Sequence, residues 1–221
     1  ACQSLERIYC HESISEAVTD ELLRQLSELS LTCSEAGAGD IAPLICERRV
    51  DTIQPQDDDA LAKGATCLLG GEPVRAGGIW YPPTLLTNVN HTMLIMQEET
   101  FGPVIPVVVF SDAEEAVALA NDSKFGLSAA VFSQDTQAAM AVAERLQVGA
   151  ISINDASLTG IVNDVEKNSF RFSGMGGSRM GPAGLIRFLR KRALLIQTGE
   201  PAPVQLFSDT PLSDTPQETA S

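Results

Sequence analysis

Cys2 is the first residue of this chain with chemical capacity. A thiol becomes a nucleophile when hydrogen-bond donors or positive charge lower its pKa, although a cysteine taken alone is more often a small buried hydrophobe. Five cysteines occur, Cys2, Cys10, Cys33, Cys46 and Cys67. Their odd number, the lack of a CxxC pair and their crowding into the first third of the chain argue against a disulfide framework and against a zinc knuckle. Thiol chemistry therefore belongs to the front end, and no metal site is expected. A second candidate is the acidic pair Glu98–Glu99 ahead of Thr100-Phe101-Gly102-Pro103, which by residue type alone is a solvated charge pair before a strand. His11 and His91 lack partners at ligand spacing and are read as structural. Arg187, Arg190, Lys191 and Arg192 follow a short helical stretch whose C-terminus attracts cations in any case, so a solvated or intersubunit role is expected for them.

The order of several motifs adds a family resemblance. Cys2-Gln3-Ser4-Leu5-Glu6-Arg7-Ile8-Tyr9 resembles the active-site cysteine segment of the aldehyde dehydrogenase superfamily, in which a Gly-Gln pair precedes a Cys-x-Ser core. Gln97-Glu98-Glu99-Thr100-Phe101-Gly102-Pro103-Val104 resembles the same family's Glu-Glu-x-Phe-Gly-Pro-Val motif. Ala118 to Phe132 is similar to its Leu-Ala-Asn-x-x-x-(Tyr/Phe)-Gly-Leu segment, and Gly149-Ala150-Ile151-Ser152-Ile153-Asn154 to a strand that ends in asparagine. These cover residues 1 to 197 in the family's order. One landmark departs: where many members carry Pro-x-Gly-Gly-x-x-x-Ser-Gly in a loop that helps to wall the aldehyde pocket, this chain reads Glu166-Lys167-Asn168-Ser169-Phe170-Arg171-Phe172-Ser173-Gly174.

The resemblance implies a nucleophilic Cys2 whose own backbone amide is one oxyanion donor. It implies that Glu99 accepts hydrogen bonds from the nicotinamide ribose hydroxyls, a fitting role for a carboxylate facing a vicinal diol, and that Phe101 packs beside the nicotinamide end of NAD or NADP. Phe170, Arg171, Phe172 and Ser173 would line the aldehyde pocket, or serve an interface or packing. The family's oxyanion asparagine, glutamate base and adenine-binding domain lie upstream of its cysteine. The expectation is thus a carboxyl-terminal portion of an NAD(P)-dependent aldehyde dehydrogenase, starting at the catalytic cysteine and inactive alone. Alternatives are a CoA-acylating enzyme or semialdehyde reductase of the same fold, and a non-catalytic oligomerisation fragment, since the run Ala193 to Ile196 would pair with a neighbouring subunit's sheet. The expected partners are a small aldehyde and a second copy, as dimer or tetramer.

The elements that must position these residues follow from pattern. Ile14, Val18, Leu22, Leu26 and Leu29 recur at helical spacing behind a Ser13-x-x-Glu16 capping box. A second helical stretch runs from Pro43 to Lys63, to be kinked or split by Pro55 and ended by Gly64. Apolar runs at Thr66 to Leu69, Thr84 to Val89, Val104 to Phe110, Leu127 to Phe132 and Ala150 to Ile153 read as strands. Between the later ones lie helices, one behind a Ser111-x-x-Glu114 capping box and one capped by Asp135 and running through Leu146. Strands alternating with helices imply an α/β fold, a mostly parallel sheet flanked by helices, with a terminal strand and a disordered tail. The division expected is a thiol domain over 1–170, a loop, helix and oligomerisation strand over 171–200, and the tail over 201–221. A short helix is expected near Pro182 to Arg190.

Composition bounds the partners. The chain is 221 residues long, 44% hydrophobic, with 29 acidic against 15 basic residues and a formal net charge of -14. Nucleic acid is excluded as a partner because such binding draws on clustered Lys and Arg. No apolar run approaches the roughly 20 residues that span a bilayer, and the first residues lack a signal-peptide pattern. No membrane association and a cytoplasmic location are the expectations.

Overall fold

The computed structural model describes residues 4–31, 39–175, 177 and 180–199. Cys2, Cys33 and the tail over 201–221 lie outside the described residues.

Strand β1 (Ile8–His11) follows the cysteine segment directly, where sequence pattern signals no strand. Its four residues alternate, Tyr9 towards one apolar cluster and Ile8 and Cys10 towards another. Helix α1 (Ser15–Ser27) comes next and lays Val18, Leu22, Leu23 and Leu26 against the second cluster, the stripe its spacing requires. Ile14 and Leu29, the ends of the anticipated stripe, stay outside at 53% and 38% exposure. The Ser13–Glu16 capping box is not made. A 3-10 turn over Glu12–Ile14 occupies that place, and the Ser13 N–H donates to His11 Nδ1 instead.

Helix α2 (Val50–Ala62), entered through a 3-10 turn at Glu47–Arg49, buries Ile53, Gln56, Asp57 and Ala60 at i, i+3, i+4 and i+7. Pro55 sits inside it without splitting it. Pro55 and Asp51, four residues before it, are both exposed, so the carbonyl that loses its N–H partner faces water and the cost of the missing bond is reduced. Gly64 ends the helix as expected: at φ +100 its N–H reaches Leu61 O at 3.1 Å while the Ala65 N–H reaches Ala60 O at 2.9 Å, the paired bonds of a Schellman cap.

The core sheet is built from β2 (Thr66–Leu69), β5 (Thr84–Thr87), β6 (Val104–Phe110) and β1, in the order β1-β6-β5-β2. Between β2 and β5 lies a small ribbon, β3 (Val74–Arg75) with β4 (Ile79–Trp80). β1 and β5 run parallel to β6, and β2 is the antiparallel edge. The pleat sorts side chains by parity. Leu85, Ile105 and Val107 face α1, whereas Leu86, Val104 and Val108 face α2 and the short helix α3 (Leu94–Gln97), where Ile53, Tyr81, Met93, Ile95 and Met96 complete the larger core.

Helix α4 (Ala113–Asn121) follows, its capping box one residue later than expected. Asp112 Oδ1 accepts from the Glu115 N–H at 2.9 Å, and Glu115 returns by accepting from the Ser111 N–H at 2.8 Å. This frees Glu114 for Arg145. After the two-residue β7 (Phe125–Gly126) come β8 (Ser128–Val131), α5 (Thr136–Ala143) capped by Asp135 as expected, and β9 (Ala150–Ile153) parallel to β8. A short α6 (Leu158–Ile161), the strand β10 (Phe170–Arg171) paired antiparallel with β7, and α7 (Gly181–Ile186) complete the order. The architecture is α/β with mainly parallel pairing and flanking helices. Residues 191–198 form no strand, so the terminal strand expected at Ala193 to Ile196 is not made within this single chain; a segment of that kind becomes a strand when a neighbouring strand pairs along it.

Candidate functional site

Between α3 and β6 the chain makes a turn over residues 98–103, and its geometry is fixed from several directions. Thr100 is 1% exposed, and each of its polar groups has a partner. Its N–H donates to Glu6 Oε2 at 3.1 Å, its carbonyl accepts from Arg49 Nη2 at 2.5 Å, and its hydroxyl donates to Gln56 Oε1 at 2.7 Å. The same Gln56 donates through Nε2 to Glu99 O at 3.3 Å. Phe101 follows at φ +48, a left-handed conformation that costs a non-glycine residue about 1–3 kcal/mol and persists where neighbours over-determine it. Here the second oxygen of Glu6 accepts from the Phe101 N–H at 3.3 Å, and the Arg49 guanidinium stands 5.6 Å over the ring. Gly102 is required by contact: a Cβ there would sit 2.6 Å from Ile53 Cδ1.

The cysteine segment thus reaches the acidic turn. Glu6 binds two of its amides, and Arg7 Nε donates to Met96 O at 2.9 Å just before it. Cys2 itself, four residues before Glu6 in sequence, lies outside the described residues.

The two carboxylates of the pair have different surroundings. Glu98 Oε2 accepts from Lys124 Nζ at 2.7 Å. Glu99 is exposed, and among the described residues no side chain pairs with its carboxylate. Phe101 is 42% exposed beside it. Glu99 is therefore the member of the pair whose two acceptor oxygens are available to a ligand.

Lys124 also joins the turn to the loop that departs from the family pattern. Its carbonyl accepts from the Phe172 N–H at 3.0 Å, and Ser173 Oγ accepts from the Gly126 N–H at 2.9 Å. Arg171, at φ +53, points its guanidinium at the end of α4, donating to Asn121 O at 2.7 Å and also to Ser123 O and Gln147 Oε1. A cation there complements the carbonyl end of the helix. Phe170 and Phe172 are 44% and 81% exposed. The Asn168–Ser169 stretch that replaces the family's glycines lies on Gly149, where a Cβ would come within 1.6 Å of Asn168 O. The strand-ending Asn154 closes the end of the β8–β9 pair. At φ +57 its side chain accepts from the Ser133 N–H at 2.8 Å and donates to Ser133 O at 3.0 Å.

Of the other thiols, Cys10 is buried and Cys67 half-buried, and burial raises the pKa of both. Cys46 is exposed, and hydrogen bonds from the Arg48 backbone and side chain lower its pKa. Both histidines have structural partners. His91 bridges Asp122 at 2.8 Å and the Tyr9 hydroxyl at 3.2 Å, and His11 bonds Ser13. Sequence pattern singles out Glu99 and Phe101 but not Glu6, Arg49, Gln56 or Lys124, which hold them.

The model of the aldehyde dehydrogenase family matches residues 1–194. The chain belongs to this family. It is 43% identical over 142 residues to the mitochondrial succinate-semialdehyde dehydrogenase of Mus musculus, covering 64% of this chain and 26% of that protein. Among solved structures, the putative aldehyde dehydrogenase PutA from Anabaena variabilis superposes with a TM-score of 0.85 at 49% identity, over 92% of this chain and 44% of that one. The betaine aldehyde dehydrogenase of Staphylococcus aureus, in complex with NAD+, gives 0.81 at 32% identity, over 94% and 42%. The chain spans a quarter to less than half the length of these aldehyde dehydrogenase relatives. Members of the family are oxidoreductases, and the fold of this chain is theirs. Among the described residues no helix is long and apolar enough to cross a membrane.

Proposed function

We propose that these residues supply the thiol and the nicotinamide-ribose turn for oxidation of an aldehyde to a carboxylic acid with NAD(P). The observation that carries this reading is the pair of hydrogen bonds that Glu6, four residues after Cys2, accepts from the amides of Thr100 and Phe101. They tie the thiol segment to the turn that presents Glu99.

Cys2 is the nucleophile. Its thiolate adds to the aldehyde carbon, and the carbonyl oxygen takes up the charge as a thiohemiacetal forms. The backbone N–H of Cys2 is one donor to that oxygen, and a donor so placed is worth roughly 3 to 4 kcal/mol in acyl-transfer enzymes. Bound NAD(P) would supply the hydride acceptor that takes the adduct to a thioester. Its ribose hydroxyls would meet the free carboxylate of Glu99 and its nicotinamide end the exposed ring of Phe101. The fit rests on a carboxylate with both oxygens available, on a backbone anchored by Glu6, Arg49 and Gln56, and on a ring face beside it. The loop with Phe170, Arg171, Phe172 and Ser173 walls the aldehyde side, with Arg171 holding the loop rather than the substrate. Hydrolysis of the thioester needs a base to activate water, and no motif of this chain matches the family's glutamate base or its oxyanion asparagine.

The 221 residues alone are accordingly inactive. Incubating them with NAD or NADP and a panel of aldehydes should give no NAD(P)H above background, whereas a protein that joins them to the family's upstream segments should turn over and lose activity on Cys2→Ser. Turnover by the 221 residues alone refutes the incompleteness, and full activity of the Cys2→Ser variant refutes the nucleophile. A second reading concerns assembly. Leu194, Leu195 and Ile196 are 79%, 91% and 75% exposed in sequence, an apolar run suited to a second copy of the chain as dimer or tetramer. Light scattering tests this: a monomer at high concentration removes it.

A further inference from the structure

Thr100 and its neighbours are anchored from two independent sides. Arg49 and Gln56 come from the α2 side of the molecule, one taking the Thr100 carbonyl and the other its hydroxyl. Among the described residues Glu6 alone comes from the thiol segment, and it alone takes the backbone N–H groups. Two successive N–H groups converging on one anion form a small concave donor site of the kind that left-handed backbone creates, and Phe101 at φ +48 provides that conformation. A carboxylate suits the position because it is acceptor-only with two oxygens, and bonds from N–H to an ionised acceptor are stronger than neutral ones. The side chain is half-buried, which limits competition from water.

We propose that Glu6 is a positioning residue, holding the Glu99–Thr100–Phe101 turn in register with the thiol segment by accepting from the Thr100 and Phe101 amides. It touches neither aldehyde nor cofactor. Its consequence for catalysis rests on the reading of Cys2 and Glu99 given above, because what Glu6 sets is the separation between the segments that carry them. Without Glu6 the turn keeps its α2-side anchors and the core stays intact, but the bond from the turn's own amides to the thiol segment is lost, which leaves Arg7 at Met96 O before the turn and the β1–β6 pairing after it.

The test is residue-resolved amide exchange by NMR on the full 221-residue chain, comparing the natural sequence with Glu6→Ala and Glu6→Gln. In Glu6→Ala the Thr100 and Phe101 amides should exchange at least about tenfold faster, while Val107 and Val108 in the middle of β6 keep their protection. In Glu6→Gln one carbonyl oxygen remains, so one of the two amides should stay protected and the other should not. Unchanged exchange at both amides in either variant overturns the proposal. So does acceleration spread evenly through β6, which a loss of global stability would produce. Should Glu6→Ala fail to fold, the near-isosteric Glu6→Gln decides by itself. Titrating nicotinamide mononucleotide into the unsubstituted chain reports separately on the cofactor reading. Signals of residues 99–101 that stay still discard the role of Glu99, while the exchange comparison still decides the role of Glu6.

Discussion

Replacing Asp57 by Asn should remove a pH-dependent liability from the helix that backs the candidate site. Asp57 is 1% exposed on the inner face of α2, next to Gln56. Its Oδ2 accepts from the Tyr81 hydroxyl at 2.6 Å, but Oδ1 is buried without a partner. Burial raises its pKa from the ordinary 3.8 to about 6, the Tyr81 hydrogen bond pulling the other way and Asp58 adding to the rise. The Tyr81 hydroxyl is itself pushed up, first by burial and then by Asp57. Because the folded state holds this proton more tightly than the unfolded one, the contribution to stability is full below about pH 4 and is lost as pH rises to about 6. The total is roughly 3 kcal/mol, about half of it lost between pH 5 and 7.5. Asn keeps the shape and an acceptor for Tyr81. Its amide N–H groups, left in place of the unpaired oxygen, cost about 1–3 kcal/mol at every pH. The absolute change at one pH is therefore ambiguous, and the slope is the readout. Urea midpoints measured for both proteins at pH 5 and pH 7.5 and constant ionic strength should show Asp57→Asn gaining on the natural sequence by about 1.5 kcal/mol at the higher pH. A difference between the two proteins that is the same at both pH values refutes the reasoning.

Other outcomes follow from single contacts. Gly149→Ala places a Cβ 1.6 Å from Asn168 O, so the loop over 166–174 must move, with a loss of about 2 kcal/mol or more seen as a lower urea midpoint. In an active protein carrying these residues, Glu99→Gln should raise the KM for NAD(P) about tenfold, the worth of a charge-assisted hydrogen bond, while iodoacetamide labels Cys2 at an unchanged rate. Among the thiols the structure describes, Cys46 should be alkylated well before Cys10 and Cys67 at pH 7.5, since Arg48 lowers its pKa while burial raises theirs. Peptide mass spectrometry of a timed quench gives the order.

Local signals carry much of the fold. Val104–Phe110, Thr66–Leu69 and Ala150–Ile153 are strands with the bounds their apolar runs set, and α1 falls within the helical stripe from 14 to 29. What the sequence hides depends on partners far along the chain. Ile8–His11 is too short and mixed to declare itself, and it becomes a strand because Val107–Phe110 lies beside it. β7 and β10, two residues each, exist only as a pair. Ser111 and Asp112 both offer a cap, and neither residue type nor spacing decides between registers one apart. At the site, Glu99 and Phe101 are legible because they stand in a contiguous motif. Glu6, Arg49 and Gln56 reach Thr100 across 94, 51 and 44 residues, and no window of sequence contains such contacts.

The convergence of the thiol with the acidic turn is best tested by distance. In a variant that keeps Cys2 as its one thiol, a nitroxide attached to Cys2 should broaden the amide signals of Glu99, Thr100 and Phe101 and leave those of α5 sharp. Sharp signals at 99–101 alongside a fully labelled Cys2 would separate the sulfur from the turn and contradict the proposed site.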